Sequence, residues 1–155
     1  MEQAITLEFI LNTKFDNDGL FLHEEKSKCL YKMPSDYKLP ATPEENNLKL
    51  RRKIEEVFEN KFNGSKTRVN LECAISESTF KSYLLGKRRM SREALARFCV
   101  GAQISVELAN EMFLLHGHGL DNVHNCLDAI VCYCLNHKET LDEMIKICND
   151  KGIGI

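Results

Sequence analysis

The sequence predicts a mainly α-helical fold: from residue 43 onward, a bundle of about seven short helices, preceded by an N-terminal extension. Three observations carry this. Hydroxyl or amide residues that can cap a helix recur just ahead of apolar residues spaced three and four apart. Glycines stand where several of those stripes stop, at 64, 86, 117 and 152. The chain has 155 residues and is 43% hydrophobic, enough for one domain with a real core and too apolar for wholesale disorder.

Residues 1–41 read as a separate extension. Ile5, Leu7, Phe9 and Leu11 alternate with mostly polar neighbours, which favours a strand. Asp18-Gly19 is a turn signal, and 20–31 would return as a second strand, giving a small β-hairpin. Ile10 interrupts the alternation and leaves a helix as the alternative. Pro34, Pro40 and Pro43 then punctuate a linker.

Thr42-Pro43-Glu44-Glu45 is a helix start: Thr42 caps, Pro43 suits the first position, and Glu45 completes a capping box. Leu50, Ile54, Val57, Phe58 and Phe62 form its apolar stripe, and Asn63-Gly64 ends it. A short helix over 66–73 follows, then a turn at 74–76. The next helix spans 77–85, with Ser76 as cap and Gly86 as stop. Ser91 caps a helix to about residue 102, and Ser105 caps one to about 116. A sixth helix covers 125–137. Thr140 and Glu143 form a second capping box for the last helix, which ends near Gly152. Domain boundaries follow: an arm at 1–41, a helical domain at 42–117 and a helical extension at 118–155.

Charge is unevenly distributed. The formal net charge is −2, yet residues 48–98 carry thirteen Lys or Arg against six Asp or Glu, while 1–47 and 99–155 carry net −4 and −5. A basic middle between acidic flanks is expected of a chain that presents one face to phosphates; a solvated helical face would look the same. The stretch 75–89 concentrates the signal. A small-polar start opens a short amphipathic segment, Gly86 stops it, and Lys87, Arg88 and Arg89 follow at once. Helical spacing puts Val69, Cys73, Ile75, Phe80, Tyr83 and Leu84 inward, and Glu77, Ser78, Lys81 and Ser82 outward.

Residues 48–116 resemble the Cro/phage-repressor (XRE-type, lambda-repressor-like) helix-turn-helix family. The best match is Ile75-Ser76-x-Ser78-Thr79-Phe80-x-x-Tyr83-Leu84-x-Gly86-Lys87-Arg88, continuing Ser91-Arg92-x-x-Leu95. The resemblance implies a five-helix bundle followed by two further helices. It also implies sequence-specific binding of double-stranded DNA, as a transcriptional regulator and homodimer reading two half-sites. Carried over by position, Glu77, Ser78 and Ser82, with Lys81 beside them, would meet bases. Lys66, Ser76, Lys87, Arg88, Arg89 and Arg92 would hold phosphates. Three positions depart from the pattern. Asn70 replaces a small alanine, Ala74 replaces the turn glycine, and the apolar Leu84 removes a frequent ion pair. An alanine held in a left-handed turn would cost roughly 1–2 kcal/mol. The alternative function is a non-catalytic protein-interaction module, antitoxin-like or an adaptor, on the same scaffold.

Other chemistry is not expected. No apolar run is long enough for a membrane span, and the N-terminus lacks a basic secretion start. Seven cysteines, mostly within apolar patterns, fit reduced thiols in a cytoplasmic protein. His116, His118, His124, Cys126, Cys132, Cys134 and His137 could suggest zinc. On a helix, however, Cys132 and Cys134 would point about 200° apart, and Leu127, Ile130, Val131 and Cys134 make an ordinary core stripe. No phosphate loop, nucleophile elbow or metalloprotease motif is present, so neither catalysis nor a cofactor is expected.

Overall fold

A computed structural model of the chain describes residues 6–13 and 42–155. Among the described residues the fold is all-helical, with eight helices and no strand. They are α1 (Leu7–Asn12), α2 (Pro43–Phe62), α3 (Lys66–Cys73), α4 (Glu77–Leu84), α5 (Arg92–Ala102), α6 (Val106–His116), α7 (Cys126–His137) and α8 (Leu141–Asp150).

The expected first strand is a helix instead. Thr6 Oγ1 accepts from Phe9 N–H at 3.0 Å and caps α1. Helical spacing puts Leu7 and Ile10 on one face, and Ile10 is fully buried while Phe9 and Leu11 are exposed. In a strand Ile10 would face away from the other apolar residues; one well-buried isoleucine outweighs the alternating pattern. Residues 14–41, with the turn at Asp18-Gly19 and the second strand, lie outside the described residues.

From α2 onward every helix opens on a side-chain cap within one turn: Thr42, Ser65, Ser76, Ser91, Ser105, Asn125 and Thr140 each accept from the backbone N–H three residues on. At Thr42 the capping box is complete, because Glu45 also accepts from the Thr42 N–H. At Thr140 it is one-sided: the hydroxyl accepts from Glu143 N–H at 3.4 Å, with no return bond. Helix α2 stops as Asn63 turns left-handed (φ 53°) and Gly64 N–H reaches back to Phe58 O at 3.1 Å.

The core joins all eight helices in one cluster. Its centre is aromatic: Phe58, Phe80, Phe98 and Phe62 form a chain with ring centroids 4.9, 5.6 and 5.9 Å apart. This ties α2, α4 and α5 together. Phe80 is fully buried, and such burial is worth about 1.5–3 kcal/mol. Helices α3 and α5 approach closely through Gly101, where a Cβ would overlap Glu72 O and Cys73 Sγ. The small residue at this crossing is therefore on α5, which leaves Asn70 exposed on the outer side of α3.

Helices α7 and α8 close the same core. Leu141, Met144, Ile147 and Cys148 of α8 pack inward. Helix α7 is buried on nearly all sides, Cys132 and Cys134 both included, because α1, α5, α6 and α8 surround it.

Candidate functional site

The unit singled out by the sequence is two eight-residue helices, α3 and α4, joined by residues 74–76. Val69, Cys73, Ile75, Phe80 and Tyr83 are buried as their spacing requires, and Leu84 is partly buried. Ala74 takes the left-handed conformation (φ 58°, ψ 41°), and its N–H donates to Asn70 O at 3.1 Å.

These anchors turn the other side of α4 outward. Glu77, Ser78 and Lys81 are exposed and Ser82 is half-buried. Thr67 Oγ1 donates to Glu77 Oε2 at 3.1 Å, bracing α4 against α3. Ser76 Oγ accepts from Thr79 N–H and donates to Thr79 Oγ1, so its hydroxyl serves the helix cap. Lys66 is half-buried with its Nζ 5.8 Å from the Phe58 ring centre.

Beyond α4 the chain curls back on itself. Gly86 is left-handed (φ 77°), and Lys87 N–H and Arg88 N–H both donate to Ser82 O, at 2.9 and 3.3 Å. Lys87, Arg88 and Arg89 are exposed in this turn, which follows α4 directly. Arg88 lies 6.0 Å from the Tyr83 ring centre. Arg89 donates to the His116 carbonyl, while His116 Nε2–H donates to Met90 O at 2.7 Å. Burial, together with the adjacent Arg89 and Arg92, holds the His116 pKa below its usual value, and the bond to Met90 O partly opposes this.

Of the expected phosphate ligands, Ser76 has its hydroxyl engaged in the cap of α4, and Arg92 is drawn into an ion pair away from the loop. Its guanidinium pairs with the buried Asp128 carboxylate (Nη2–Oδ2 2.8 Å, Nε–Oδ1 3.3 Å) and donates to the carbonyls of His118 and Gly119. It also lies 4.7 Å from the Phe113 ring centre, with only 16% of its side chain exposed. Arg92 ties α5 to α7 rather than facing the solvent beside α4. The sequence showed an arginine after a cap but not its partner, which is 36 residues away.

Arg51 was missed. It projects from α2 onto Gly86, where a Cβ would overlap its Nη1. It lines a hollow with Lys87, Arg88 and Arg89. Its only sequence signal is a position three residues before Ile54, at the edge of the α2 stripe.

A larger hollow of about 580 Å³ lies where α3, the end of α5 and the start of α8 meet, with Leu71 exposed at its wall. Its charges are of both signs and partly paired, as in Arg68 with Glu72 at 3.4 Å. Among the described residues no group of three or more His, Cys, Asp or Glu converges as a metal site, and no helix is long and apolar enough to cross a membrane. No protein-family model, curated protein or solved structure matches the chain.

Proposed function

We propose that the chain binds double-stranded DNA through α3, the turn and α4, as a helix-turn-helix regulator of transcription. One observation carries the reading. Lys81, Lys87 and Arg88 stand exposed along α4 and the loop after it, and no carboxylate among the described residues pairs with them. Three neighbouring cations without counter-charges favour a polyanion. The resemblance of 75–95 to the XRE-type pattern points the same way.

In this reading α4 enters the major groove. Lys81 can donate to guanine O6 or N7, Ser78 and Ser82 can bond either donors or acceptors, and Glu77 can accept from cytosine N4. Lys66, Lys87, Arg88 and Arg89 lie along the phosphates and fix orientation. An eight-residue helix buries little surface alone, so two copies on adjacent half-sites are expected.

The test is a gel shift on mixed-sequence duplex across a salt series. Replacing both Lys87 and Arg88 by Ala is expected to weaken binding to all duplexes alike and to flatten the dependence of log K on log salt by about two units. Ser78→Ala is expected to change sequence preference more than affinity. Absence of duplex binding by the unmodified chain at about 50 mM salt would sink the reading.

A protein-interaction module is the second reading. It is favoured by Leu71, which is 77% exposed at the wall of the larger hollow. In that case Leu71→Ser abolishes partner capture and leaves any duplex binding untouched.

A further inference from the structure

We propose that the hollow beside Gly86 is a seat for a single phosphate group, gripped by Arg51 from α2 together with Lys87, Arg88 and Arg89 from the loop after α4. The proposal rests on the duplex-binding reading for the source of that phosphate, the DNA backbone, but not for the seat itself.

Four cations share the walls of this hollow and no Asp or Glu lines it. Arg51, Lys87 and Arg88 are in no ion pair among the described residues, and Arg89 donates to a carbonyl, which leaves its charge uncompensated. Like charges gathered this closely repel, and an external anion relieves them all at once. The floor is apolar: Ile54 and Met90 are buried there beside Tyr83, whose ring faces Arg88. A low-polarity floor weakens screening and strengthens the hold of the cations on an anion.

Size selects the ligand. The hollow has a volume of about 140 Å³, below the roughly 300 Å³ at which cofactor-sized sites begin. It suits one tetrahedral anionic group, with the rest of the ligand outside. Gly86 completes the seat in two ways. Its left-handed backbone turns the loop cations toward α2, and its missing side chain leaves the space that the Arg51 guanidinium occupies. A guanidinium can meet a phosphate with two parallel N–H donors, which fixes orientation as well as distance. A phosphate so held would lie on the strand bordering the groove that α4 enters. The contact would set the register of α4 while carrying no sequence information.

The test uses the full chain, Arg51→Gln, Arg51→Lys and the charge-matched control Lys146→Gln, an exposed residue of α8 that does not line the hollow. Thermal unfolding is followed with millimolar inorganic phosphate against chloride at constant ionic strength, and duplex binding is measured over a salt series. The unmodified chain and Lys146→Gln are expected to gain Tm with phosphate, Arg51→Gln to lose that gain and Arg51→Lys to keep part of it. Arg51→Gln is also expected to lower the salt slope by about one unit, the signature of one lost phosphate contact. An Arg51→Gln chain with the phosphate response and slope of the unmodified chain overturns the seat and leaves duplex binding standing. A phosphate response that depends on Arg51, without duplex binding, keeps the seat and overturns its source. No phosphate response in the unmodified chain overturns the seat.

Discussion

Ala74 holds φ 58° and ψ 41°, a conformation in which Cβ crowds the neighbouring carbonyl. The chain accepts this strain because the left-handed step ends α3 and aims the backbone into α4, with Ile75 buried in the turn. Gln103 and Lys138 end α5 and α7 the same way, without glycine. Replacing Ala74 by Gly removes the crowding, worth roughly 1–2 kcal/mol, against a loss of about 0.5–1 kcal/mol from a freer unfolded chain. The expected outcome is a gain of about 0.5–1 kcal/mol in urea unfolding, with unchanged slope. A lower midpoint would mean that the turn does not need this backbone.

Between helices, the Arg92 and Asp128 pair does what a single side chain cannot. It joins the first turn of α5 to the first turn of α7 and holds the intervening loop by two carbonyls. Asp128 also accepts from Asp121 N–H at 2.8 Å. Burial raises the Asp128 pKa, and the adjacent guanidinium only partly opposes it, so the carboxylate depends on Arg92. Arg92→Ala would strand a buried charge and is expected to cost about 3–5 kcal/mol. Exchanging both for apolar residues, Arg92→Met with Asp128→Leu, is expected to recover most of that loss. Denaturant midpoints of the three chains decide the matter; a loss below about 1 kcal/mol for Arg92→Ala would show that the pair is dispensable.

Taken together, the helices bury six of the seven cysteines; the other, Cys29, lies outside the described residues. Burial pushes the thiols of Cys73 and Cys134 up to about 12 and that of Cys148 to about 11, and raises Cys99 and Cys126 as well. An unfolded thiol titrates near about 8.5. The folded state therefore binds protons that the unfolded state has lost. The contribution to stability is whole below the unfolded value and is lost as pH climbs from about 9 through the folded values near 11 to 12. Urea midpoints measured from pH 7 upward are expected to hold steady to about pH 8.5 and then fall. Replacing Cys73 and Cys134 by Ala, which leaves fewer thiols to titrate, should make that fall shallower. Equal slopes in both chains would place the alkaline loss on other groups.

The helix starts and stops were legible in the sequence because each is decided within three or four residues. Thr42, Ser76, Ser91 and Ser105 reach a backbone N–H in their own first turn, and the turns at Asn63 and Gly86 need only a backbone that can go left-handed. The inward set of α3 and α4 followed from period alone. The first helix was misread because two periods fit six residues, and only packing against α7 chooses between them. Likewise Arg92 and Asp128, Gly101 under Cys73, and Arg51 over Gly86 meet across 28 to 36 residues of chain, where no local pattern reaches. From residue 42 onward, amino-acid order by itself determined which segments are helical and which side of each is apolar. Tertiary structure decided which cations stay free beside α4 and which are spent inside, because a charge is released or neutralised only by the groups that folding brings to it.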